Sequence, residues 1–154
     1  MIKRVIYFIL LLSFSLHAEY VDIQADHFYA NDINKLAYFE GNAYVKQNRN
    51  EFNASKIVVY FNNKKEAEKY EARGNVSFDL TESNIHYKGH AKKVLYEPRK
   101  SKYYFSGNVL LKDLTNNRTI KAQTVSLDLK TGLADIKGEK KKPVHFRFQI
   151  EDRK

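Results

Sequence analysis

The chain has 154 residues and a formal net charge of +9, a length that suits one domain. It has no cysteine, which excludes a disulfide framework and any thiolate metal centre. Tyr and Phe supply all of its 14% aromatic content and proline occurs twice, a composition that favours strands.

The chain opens "MIKRVIYFILLLSFSLHAEY". Lys3 and Arg4 precede an apolar run from Val5 to Leu16, and a small residue, Ala18, precedes a polar continuation. This is the pattern of a secretory signal peptide cleaved between Ala18 and Glu19. The alternative is an uncleaved anchor. Twelve helical residues span about 18 Å, short of a hydrocarbon core of about 30 Å, so cleavage is the expectation. Without Lys3 and Arg4 the remaining chain has 25 basic and 18 acidic residues, a net +7. An exported basic protein suits an anionic lipid or glycolipid better than nucleic acid. The plainer reading is that Lys and Asn keep an exposed sheet soluble.

Beyond the signal a repeat emerges. Gly-Asn occurs at 41, 74 and 107, a spacing of 33 each time, and a degenerate copy, Gly138-Glu139, follows after 31. Between these pairs, Ala begins "ADHFYA" (Ala25), "ASKIVVYF" (Ala54), "AKKVLYE" (Ala91) and "AQTVSLDL" (Ala122). The distances from each Ala to the next Gly are 16, 20, 16 and 16, the longest unit holding "NNKKEAEK". Each of four units reads strand, turn, strand. The turns "ANDINK", "NNKKEA", "EPRKSK" and "LKTGL" carry the residues that turns require.

Alternation then assigns faces. Ala37, Phe39, Gly41, Ala43 and Val45 share one face, as do Tyr70, Ala72, Gly74, Val76 and Phe78. The third copy runs Tyr103, Phe105, Gly107, Val109 and Leu111. The phase does not change at glycine, so one strand continues through each Gly-Asn. Gly41, Gly74 and Gly107 are expected to bend it. In the Ala segments Phe28 and Ala30, then Ile57, Val59 and Phe61, then Val94 and Tyr96, then Val125, Leu127 and Leu129 form the apolar face. Val58, Tyr60 and Leu95 break this pattern. One unit cannot bury its apolar face alone, whereas stacked units form two facing sheets, as in a β-solenoid or an elongated jelly roll.

"VDIQADHFYAND", the three evenly spaced Gly-Asn strands and "YKGHAKKVLYEPRKSKYYFSGNVLL" together make the chain resemble the OstA-like (LptA) family of periplasmic lipopolysaccharide transport proteins. The resemblance covers essentially the whole exported chain, residues 19–154. It implies an all-β fold, an elongated, twisted antiparallel β-jelly roll with an apolar interior that shelters lipopolysaccharide acyl chains. The groove would be lined by Phe28, Phe39, Val45, Ile57, Val59, Phe61, Val76 and Phe78, and further along by Val94, Tyr96, Phe105, Val109, Leu111, Val125 and Leu127. It also implies self-association end to end and docking to LptC-like and LptD-like proteins. Val21 and Ile23 at one end, and His145, Phe146 and Phe148 at the other, are the expected docking strands. Alternation alone fits a packed core as well as a lipid groove.

No catalytic group and no cofactor are expected. His86 and His90 lie about 13 Å apart on an extended strand, too far for one metal ion. "KGEKKKP" at 137–143 reads as a solvated charge run or a lipid-phosphate contact. Two rivals remain: an LptC-like component that keeps its membrane anchor, and a structural β-roll whose interior is only core.

Overall fold

A computed structural model of the chain describes residues 20–150. The signal segment, with the Ala18–Glu19 cleavage point, lies outside the described residues. Among those described, no helix is long and apolar enough to cross a membrane.

All the strands belong to one antiparallel sheet. β1 (Val21–Gln24) and β2 (His27–Asn31) pair with opposite halves of β3 (Leu36–Gln47). A meander follows through β4 (Asn50–Phe61), β5 (Ala67–Glu82), β6 (Ile85–Glu97), β7 (Lys102–Asp113) and β8 (Arg118–Asp128). β9 (Leu133–Lys137) and β10 (His145–Phe148) then pair with opposite halves of β8. Connections are tight. Asn31 Oδ1 accepts from the Ile33 and Asn34 amides, and Asp128 Oδ1 from Lys130 and Thr131. These are the Asx turns that such loop sequences favour.

The Gly-Asn pairs are bulges in these long strands. Gly41 and Asn42 have φ of 81° and 46°, Gly74 and Asn75 of 79° and 46°, and Gly107 and Asn108 of 82° and 46°. Each pair faces a single residue on the neighbouring strands, where the register shifts: Ser55 beside 41–42 and 74–75, and Lys92 beside 74–75 and 107–108. The aligned bulges form a crease from Asp26 to Gln123. A bulge bends its strand and increases twist, and a row of them folds the sheet along one line.

The sequence placed these glycines in phase with the inward face, and Gly107 is buried between Phe105 and Val109, but the direction of the missing Cβ differs from that of its neighbours. A Cβ at Gly74 would sit 2.6 Å from Ser55 Oγ, and one at Gly107 2.6 Å from Lys92 Cβ. Both neighbours are exposed, so the left-handed backbone turns the empty position toward the next strand rather than into the interior. The Gly-Asn strand keeps its phase, and its neighbour takes the phase change. On β4, Phe52 and Ala54 are buried and so are Ile57 and Val59, with Ser55 and Lys56 between them. Ala91 and Val94 on β6 repeat the pattern. The fourth copy departs from the other three: β9 ends at Lys137 and the chain turns away at Gly138.

Folding along the crease sets two walls face to face. Phe78 and Phe105 lie on different sides of the crease and on strands separated by β6, yet their ring centroids are 4.8 Å apart. Phe52 and Tyr103 meet likewise at 6.5 Å. The largest side chains that are almost wholly buried, among them Tyr103, Phe105, Ile57, Leu80 and Leu111, all face inward. Val58, Tyr60 and Leu95, which broke the alternation, lie on the outer face of the sheet, where Val58 is buried beside Tyr38 and Glu71, and Leu95 pairs with Glu71 and Tyr104.

Candidate functional site

The apolar space between the walls is the candidate site. Of the residues expected to line it, Val45, Ile57, Val59, Val76, Phe78, Val94, Phe105, Val109, Leu111 and Val125 are buried in one cluster. Phe39, Phe61, Tyr96 and Leu127 are half-buried against the same cluster. Phe28 is 57% exposed on the edge strand β2, its ring 4.9 Å from Phe39.

The interior is tightly filled. A cavity of ≈ 30 Å³ remains, bounded by Val21, Val45, Phe52, Ile57, Tyr70 and Tyr103, among others. That is room for about one or two water molecules.

One rim carries a polar closure. Tyr103 Oη donates to Glu82 Oε1 at 2.8 Å, and Asn50 Nδ2 donates to the same oxygen at 2.7 Å. Asn50 Oδ1 in turn accepts from the Thr81 amide at 2.9 Å. Tyr103 also stacks on Tyr96 with centroids 4.3 Å apart, and Tyr70 lies 6.2 Å beyond Tyr96. Burial pushes the Tyr103 hydroxyl far above the ordinary phenol range, with Tyr96 and Glu82 adding to the shift, so it stays a neutral donor.

At the ends of the sheet the inward face is uncovered. Val21 and Ile23 on β1 are half-buried against the core. On β10, Phe146 and Phe148 share the inward face with Ile120 and are 43% and 57% exposed. His145 lies on the outer face instead, opposite Lys121. Phe28 and Phe146 thus mark two unpaired apolar edges at opposite ends of the strand order.

Sequence reasoning put Tyr103 on the inward face but left it, with Phe52 and Leu80, out of the groove lining, although all three are buried inside. The signal was present. Ala is followed three residues on by Phe28, Ile57, Val94 or Val125, which marks the phase change and puts Phe52, two before Ala54, inward, while Leu80 extends the alternation of Val76 and Phe78. Among the described residues no cluster of His, Asp and Glu could hold a metal ion. His86 Nε2 instead contacts Asp79 Oδ1 at 2.6 Å.

The fold is similar to a solved structure, that of LptH from Pseudomonas aeruginosa, described as the LptA-homologous periplasmic component of the lipopolysaccharide transport device. The match has a TM-score of 0.73 at 11% identity and covers 85% of this chain and 96% of that one. No curated protein sequence matches the chain. Residues 22–133, from β1 to the start of β9, match the family model described as LptA/(LptD N-terminal domain) LPS transport protein. The chain therefore belongs to the LptA/LptD N-terminal domain family of lipopolysaccharide transport proteins.

Proposed function

We propose that this protein works in the periplasm after signal cleavage, sheltering lipopolysaccharide acyl chains between its two walls. It passes them along a bridge of domains joined end to end between the inner and outer membranes. The observation that carries this reading is the run of inward aromatic and aliphatic side chains, continuous from Ile23 to Ile136 and uncovered at both edges by Phe28, Phe146 and Phe148. Burying each CH₂ of an acyl chain contributes about 0.8 kcal/mol, enough to favour transfer out of water without chemistry.

Strand addition at β1 and β10 extends the sheet into a neighbouring domain, with LptC-like and LptD-like proteins at the two termini of the bridge. A packed scaffold that binds no lipid is the second reading, and the small size of the cavity favours it. Photo-crosslinking to lipopolysaccharide from inward and outward positions separates the two.

A further inference from the structure

A second concavity lies on the outer surface, away from the interior. Its floor is a cross-strand row: His90 on β6, Leu110 on β7, Lys121 on β8 and His145 on β10. Lys142 and Pro143 bound it on one side, and Asn108 and Gln123 line it from the crease. The hollow has a volume of ≈ 460 Å³ and no carboxylate among its lining residues.

The fourth repeat builds this hollow. A Cβ at Gly138 would lie 2.6 Å from the Val144 amide nitrogen and 2.7 Å from the Lys142 carbonyl oxygen, so the backbone folds back closely only with glycine there. Glu139 and Lys142 then exchange backbone hydrogen bonds of 2.8 and 3.1 Å, fixing the turn that carries Lys142.

Some outward lysines sit beside carboxylates, Lys56 with Glu40 at 3.0 Å, Lys93 with Glu71 at 3.2 Å and Lys88 with Asp79 at 3.7 Å. Neither Lys121 nor Lys142 has an acidic partner among the described residues. Two ammonium groups, two imidazoles and two side-chain amides surround a space whose lining, among the described residues, contains no carboxylate. That donor set suits an oxyanion with several acceptor oxygens.

We propose that this pocket binds the phosphate group of a phosphorylated sugar. Phosphate offers more acceptor oxygens than a carboxylate, and the two lysines approach from different backbone segments. The hollow is also larger than a bare anion needs, which leaves room for the sugar. The pocket is on the outer surface, so its occupancy does not depend on acyl chains entering the interior.

The test is an amide NMR titration of the mature chain with glucose 1-phosphate, inorganic phosphate and glucuronate in turn. Shifts confined to residues near 108, 121–123 and 142–145 are expected with both phosphates. The Lys121→Ala/Lys142→Ala double variant should weaken the response at least about tenfold, while Lys88→Ala leaves it unchanged. Tighter binding of glucose 1-phosphate than of inorganic phosphate identifies the sugar ester as the ligand. Equal binding of the two phosphates, equal binding of glucuronate, or shifts that survive the double variant would overturn the proposal. Both lysines are exposed, so the rest of the spectrum reports directly that the variant is folded.

Discussion

The Tyr103 hydroxyl donates to Glu82 Oε1 at 2.8 Å, tying the first half of β7 to the end of β5 in the facing wall. Asn50, the first residue of β4, donates to the same oxygen. Three segments thus meet on one carboxylate at the rim of an apolar interior. Tyr103→Phe removes the cross-wall bond while keeping the ring that stacks on Tyr96. Hydrogen bonds to charged groups contribute about 1.5–3 kcal/mol, and Glu82 retains Asn50, so a loss near the lower limit is expected in urea unfolding. Unchanged stability would show that the rim does not hold the walls together.

The crease makes a separate demand on glycine. Gly74→Ala must carry a Cβ at φ of 79° and 2.6 Å from Ser55 Oγ. Gly132 has a similar φ of 74°, but an added Cβ there meets nothing within 4 Å. Gly132→Ala should therefore lose only the left-handed penalty of about 1 kcal/mol, and Gly74→Ala clearly more. Ser55→Gly should restore part of the difference when combined with Gly74→Ala. Equal losses at the two glycines would mean that the close approach of strands is not what the repeat conserves space for.

Acid should weaken the fold through two carboxylates. Burial pushes Glu71 upward, but bonds from Arg73, Tyr60 and Lys93 outweigh it and hold the group below the usual carboxylate range. Asp113 follows the same balance, with Asn116 and Arg118 as its partners. A carboxyl whose folded pKa is depressed stabilises the fold above its unfolded pKa and loses that contribution as pH falls through the folded one. Urea midpoints should be flat from neutral down to about pH 5 and decline below about pH 4. Glu71→Gln should flatten that decline; an undiminished acid slope would assign the effect to other groups.

Much of this molecule could be read from the chain because period-two alternation reports burial directly. Tyr103, Phe105, Val109 and Leu111 were placed inward from spacing alone, and all are buried. The hidden part was relational. The spacing of three from Ala54 to Ile57 marks the phase change on β4, but nothing local says that Ser55 lies opposite the left-handed pair Gly74 and Asn75, so its cause needed the register. Gly138 read only as part of a degenerate fourth copy, because its close approach to Val144 and Lys142 depends on where β10 returns. Glu82 gave no sign in sequence of its two partners, which arrive from 32 residues before it and 21 residues after it.

Photo-crosslinking to lipopolysaccharide tests the shelter between the walls most directly. A photoreactive phenylalanine analogue at Phe39 or Phe78 replaces a ring that already faces inward, whereas Ser77 and Ser106 belong to the outer face. Strong crosslinks from Phe39 and Phe78, with little from Ser77 and Ser106, are expected if acyl chains lie between the walls. Crosslinks of equal strength from both faces would contradict that placement and leave the interior as a packed core.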